Sequence, residues 1–180
     1  MQVSNVQQRG AVPFPAFTGE RVYMREFTKA AGLPPDLLRW QDTVDAMLDG
    51  VDTRCPIFLM VDQAPVKAAT TQRRPGLHVD GYWHPSIQGH RHIHTGDAAE
   101  GLIIASNVLG CAGYVGRFEG SPGEGGDCAH IDASGLLRVD MEPGRAWAGH
   151  TLTMLHEALP VRRDCLRTVV RLNVRGWGAA

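Results

Sequence analysis

Leu166-Arg167-Thr168-Val169-Val170-Arg171-Leu172-Asn173-Val174-Arg175, close to the end of the 180-residue chain, decides the fold. β-Branched residues dominate it, and strand side chains point alternately to opposite faces. Thr168, Val170, Leu172 and Val174 therefore make one face, and Arg167, Val169, Arg171, Asn173 and Arg175 the other. The first face can pack on a helix. The second carries three guanidinium groups and must look into a polar cavity or solvent.

Similar short strands, separated by Gly, Pro and Asp, are expected upstream at 57–61, 76–80, 101–108, 113–118, 136–141 and 151–156. No long helices intervene, which indicates a sandwich or barrel and excludes a parallel sheet with crossover helices. Helical signals gather near the N-terminus. Residues 35–48 carry an apolar stripe of Leu37, Leu38, Trp40, Val44, Met47 and Leu48, with Pro34-Pro35-Asp36 before it and Gly50 after. A shorter helix is expected over 24–31. Residues 1–20, with Pro13 and Pro15, read as an extended arm, leaving 21–180 as a single domain.

A hydrophobic content of 43% with 21% charged residues is that of a globular chain. The net charge of −1 supplies no basic field, so nucleic acid is not favoured as a partner. Cys55, Cys111, Cys128 and Cys165 are widely spread and read as reduced thiols. With no signal-like N-terminus and no long apolar run, the expectation is a soluble, cytoplasmic protein that does not engage a membrane.

Gly76-Leu77-His78-Val79-Asp80 places an imidazole and a carboxylate on the same face of an extended segment. A second histidine from a distant strand, His156, can close a two-histidine, one-carboxylate facial triad, a donor set that suits Fe(II). Ligation at 2.0–2.2 Å would require the donor atoms to converge within roughly 3–4 Å of one another. A 2-oxo acid bound at such a metal needs a cation for its far carboxylate, and a guanidinium can pair with it in bidentate fashion.

Met141-Glu-Pro-Gly-Arg145, Leu155-His-Glu-Ala-Leu-Pro-Val161 and Leu166-Arg-Thr-Val-Val-Arg-Leu172 follow one another in this order. Together with Leu77-His-Val-Asp80 upstream, they resemble the prolyl-4-hydroxylase-like branch of the Fe(II)/2-oxoglutarate-dependent dioxygenase superfamily. In that family a Pro and Gly-Arg turn leads to a strand ending in the distal histidine. The resemblance spans residues 76–174. It implies a mainly β fold, a double-stranded β-helix (jelly roll, cupin-like) with one or two N-terminal buttressing helices. It also implies His78, Asp80 and His156 as metal ligands, with Fe(II) and 2-oxoglutarate as cofactor and cosubstrate. The implied activity is hydroxylation of a small-molecule or peptidyl substrate, with release of succinate and CO2. Arg167 is the implied 2-oxoglutarate anchor and Arg171 the second candidate. Where the family carries a tyrosine before His-x-Asp, this sequence has Thr70-Thr71-Gln72-Arg73-Arg74.

Tyr82 and Trp83, just after Asp80, and Asn107 are candidate substrate contacts. His90, His92 and His94 could line one face of a strand as zinc ligands, or sit in a loop over the site mouth. Residues 88–96 or the glycine-rich 119–127 are expected to cover the site. The alternative from another class is a non-catalytic jelly-roll assembly subunit with a degenerate metal site. For it the N-terminal arm would dock onto another copy or a larger assembly.

Overall fold

The computed structural model describes residues 1–80 and 100–178. Among the described residues ten strands run in chain order: β1 (Gln2–Ser4), β2 (Gln7–Ala11), β3 (Arg21–Phe27), β4 (Ile57–Val66), β5 (Glu100–Ser106), β6 (Cys111–Phe118), β7 (Leu137–Asp140), β8 (Arg145–His150), β9 (His156–Ala158) and β10 (Cys165–Arg175). One α-helix, α1 (Gln41–Met47), lies between β3 and β4. No helix among the described residues is long and apolar enough to cross a membrane.

The larger sheet has the order β2-β8-β5-β10-β4-β3 and is antiparallel throughout. In the smaller one, β6 is flanked by β7 on one side and by β9 and β1 on the other. His78 extends this smaller sheet by a bridge to His156. From β4 onward the chain therefore passes from the large sheet to the small one and back repeatedly. That is the winding of a double-stranded β-helix, the jelly roll expected from the strand spacing.

Alternation sorts the large sheet's side chains into two cores. Leu59, Val61, Ile103, Ala105, Ala146, Ala148, Val170 and Leu172 face outward, onto Trp40, Val44 and Met47 of the helical segment. Phe58, Met60, Leu102, Ile104, Trp147 and Val169 face inward, toward the small sheet. Because both faces are covered, β4 is buried at seven consecutive positions. Trp40 is fully buried, and its indole N–H donates to Glu20 Oε2 at 3.0 Å. Truncating it should cost about 3–5 kcal/mol.

Several expected elements differ in the structure. Residues 24–31 do not form a helix, because Arg21–Phe27 pairs with β4 as an edge strand. A bulge there puts Met24 at φ +46, and its side chain joins the inward-facing core. Cross-strand pairing outweighs a weak local helical preference. The helix expected over 35–48 is divided into a 3₁₀ segment, Pro35–Trp40, and then α1. Three residues per turn set Leu37 and Trp40 on the same side, and both are buried.

The strand expected at 151–156 is a turn, in which the Met154 amide donates to the His150 carbonyl at 2.8 Å. The strand after Gly144-Arg145 is β8, and His156 opens β9 instead of closing the strand before it. The arm over 1–20 is extended at its start, but β1 and β2 pair within the same chain, in the small and large sheets respectively.

Candidate metal centre and anion pocket

His78 and His156 are held together by their backbones. Each amide donates to the other's carbonyl, at 2.9 and 3.0 Å. On its other side the segment is tied to residues 126–128, through Val79 N–H to the Gly126 carbonyl and Cys128 N–H to the Leu77 carbonyl. Asp80 N–H donates to the Thr151 carbonyl. The segment is thus extended although it makes only isolated bridges, and period two sends His78 and Asp80 the same way.

Both imidazoles are oriented alike. Nδ1 of His78 lies 2.7 Å from the Gly76 carbonyl, and Nδ1 of His156 lies 3.0 Å from the Met154 carbonyl. A carbonyl only accepts, so each Nδ1 is the donor, and in a neutral ring the lone pair then falls on Nε2. Such outer contacts fix tautomer and ring direction at metal sites. The ring centroids are 4.4 Å apart and tilted by 54°. His156 Nε2 stands 3.4 Å from Asp80 Oδ2. One donor atom from each of His78, Asp80 and His156 lies within 4.8 Å of the others. These three side chains could bind a metal. The spread is wider than the 3–4 Å expected, and Asp80 is also drawn to Arg171, whose Nη1 is 2.6 Å from Oδ2.

Electrostatics favour the ligating protonation states of His78 and Asp80. Burial, reinforced by His156, lowers the His78 pKa to about 4, against an opposing contribution from Asp80. Burial alone would raise the Asp80 carboxyl. Arg171, followed by His156 and His78, instead holds it well below the usual carboxylate range. A neutral imidazole and an ionised carboxylate are what a divalent cation requires.

The centre opens into a cavity of about 360 Å³ between the sheets. Arg167 and Arg171 reach it from the inward face of β10, as alternation requires. Arg167 is 2% exposed, and its Nε donates to Ser106 Oγ at 3.2 Å while Nη1 has no acceptor among the described residues. A buried guanidinium without a carboxylate partner is costly and suits an incoming anion. Arg171 is engaged with Asp80 and, at 3.5 Å, with Met24 Sδ.

Gly110 and Cys111 complete the wall around Arg167. A Cβ on Gly110 would come within 2.6 Å of the Arg167 Cζ, so the approach depends on glycine. Burial pushes the Cys111 thiol up to about 12, partly offset by Arg167, and the Cys128 thiol up to about 11. Neither has the depressed pKa of an activated nucleophile.

Asn107 is placed differently from the expected substrate contact. Its side chain donates to the Leu166 carbonyl and accepts from Thr168 N–H, and it does not line the cavity. Tyr82, Trp83, His90, His92 and His94, with the proposed cover at 88–96, lie outside the described residues. From the stretch 119–127, Gly125 reaches the cavity wall. Arg73, Arg74, Gly110 and Cys111 line the cavity without having been singled out as site residues. Only the arginine-ending run Thr70–Arg74 offered a signal for the first two.

No family model and no curated protein matches the chain. Among solved structures, EvdO2 from Micromonospora carbonacea var. aurantiaca is similar in its 2-oxoglutarate complex (TM-score 0.42) and alone (TM-score 0.41). In both cases identity is 16%, over 69% of this chain and 54% of that one. The chain thus spans about half the length of these structures. At that distance the fold assignment rests on the strand winding, and the site on its own geometry.

Proposed function

We propose that the chain is an Fe(II)- and 2-oxoglutarate-dependent oxygenase that hydroxylates its substrate and releases succinate and CO2. The observation carrying this reading is one cavity with two oriented imidazoles and a carboxylate at one side and a buried, partly unpartnered guanidinium at another. The donor set is the one preferred by non-haem iron with open coordination positions. The anchor is of the type a dicarboxylate cosubstrate needs.

His78, Asp80 and His156 would hold the metal, with the Gly76 and Met154 carbonyls fixing the imidazoles. Bound Fe(II) and 2-oxoglutarate would together supply the oxidising chemistry toward a C–H bond. Arg167 would take the far carboxylate of the cosubstrate, with Ser106 Oγ orienting its Nε edge. Met60, Val79, Ile104 and Val169 line the cavity with apolar surface and limit water. The assembly-subunit alternative loses one support, since the arm's first two strands are paired inside their own chain.

Metal analysis combined with 2-oxoglutarate-dependent succinate release tests the reading. One iron per chain, lost in His156→Ala together with succinate release, is the expected result. Iron that persists in His78→Ala and His156→Ala, or no succinate from iron-loaded protein, would overturn it.

A further inference from the structure

Among the described residues the cavity wall carries four arginines, Arg73, Arg74, Arg167 and Arg171, against one carboxylate, Asp80. Three of the four have an evident task. Arg171 is paired with Asp80 at 2.6 Å. Arg73 is paired with Asp62 at 3.1 Å, a carboxylate it shares with Arg21. Arg167 is buried beside Gly110 and Ser106, where the cosubstrate anchor is wanted.

Arg74 stands apart. It is exposed, lines the same cavity as His78 and has no carboxylate partner among the described residues. Its one hydrogen bond among the described residues, from Nη1 to the Gly125 carbonyl at 3.0 Å, holds the guanidinium against the 124–126 turn. A guanidinium has five N–H donors in a planar fork, so among the described residues an edge is left for two oxygens.

Building on the oxygenase reading, we infer that the substrate is a small molecule bearing a carboxylate or phosphate group, and that Arg74 receives that group. A cavity of about 360 Å³ is near the lower end of ligand pockets, roughly 300–1,000 Å³. Cosubstrate and a small acid fit it better than a folded partner. The surplus of guanidinium groups draws anions in and disfavours cationic molecules.

The test is calorimetric titration of phenylacetate, phenyl phosphate and neutral phenylacetamide into wild type and Arg74→Gln. Both proteins are first saturated with redox-inert Zn(II) and 2-oxoglutarate. At least one anion should bind wild type and bind Arg74→Gln about tenfold more weakly, the loss expected for one charge-assisted contact. The amide should bind neither, and 2-oxoglutarate affinity should be equal in the two proteins. Whichever anion binds more tightly separates a carboxylate from a phosphate substrate. Equal anion binding to both proteins, amide binding as tight as the anions, or no anion binding would overturn the inference. Repeating the titrations without Zn(II) and 2-oxoglutarate separates the two readings. Failure to bind 2-oxoglutarate in the loading step counts against the oxygenase, whereas Arg74-dependent anion binding to unloaded protein still supports the inference.

Discussion

Gly110 and Arg167 fit together with no room to spare: a Cβ on the glycine would lie 2.6 Å from Cζ and 2.9 Å from Nε and Nη2 of the guanidinium. Nothing in the Gly110 backbone demands glycine, since its φ lies outside the left-handed region. Gly110→Ala should therefore act on the arginine and leave the turn intact. Crowding of this kind costs about 1–3 kcal/mol, and displacement of the guanidinium should weaken 2-oxoglutarate binding about tenfold or more. Metal binding should be unchanged. Titrating Zn(II) and then 2-oxoglutarate into the variant checks both halves.

Arg167 and Arg171 should separate cleanly in the same assay. Removing the anchor of a desolvated carboxylate costs on the order of 2–5 kcal/mol, so Arg167→Ala should nearly abolish cosubstrate binding. If Arg171→Ala abolished it while Arg167→Ala did not, the assignment would be reversed.

Arg171→Ala should instead appear in stability. Its partner Asp80 is only 17% exposed and would lose its counter-charge. The expected loss is about 2–3 kcal/mol by urea denaturation in the presence of a chelator. A divalent cation supplies a replacement charge to the same carboxylate. Zn(II) should therefore raise the melting temperature of the variant by more than that of wild type. An equal rise in both proteins would show that Arg171 does not balance Asp80.

Acid should weaken the metal-free protein before the carboxylates titrate. His78 has a folded pKa of about 4, below the ordinary 6.5. Between these values the unfolded chain binds the extra proton, so stability falls as pH falls through that window. The loss between pH 7 and pH 5 should be about 2 kcal/mol from this residue. His150, also lowered by burial, adds in the same direction. His78→Gln should show a shallower decline over the same range, measured by denaturant midpoints.

Much of the fold and centre was readable where alternation carries the information. Val170, Leu172 and Val174 pack on the helical segment and Arg167 and Arg171 enter the cavity because β10 is long and regular. His78 and Asp80 share a side for the same reason. Legibility failed where pairing partners are distant in sequence. Arg21–Phe27 is a strand through β4, and Met24 turns inward through a bulge that no local pattern announces. Thr151 and Thr153 look like strand formers yet lie in a turn, closed by the Thr153 and Met154 amides on the His150 carbonyl. Asn107 spends its amide on β10, and Arg74 and Gly110 matter through neighbours 51 and 57 residues away, Gly125 and Arg167.

The winding of the sheets also bears on how the protein is made. β1 must wait for β6, β2 for β8 and β4 for β10, partners separated by roughly 100 to 140 residues of chain. A ribosome-bound chain exposes its early strand edges throughout that interval, when long-range pairing is slow and aggregation competes. Arg167 and Arg171 lie on β10, the last of the described strands. A chain halted before β10 would already carry His78, Asp80 and His156, but not the guanidinium that balances Asp80. Released chains ending before and after β10 should differ sharply in protease resistance.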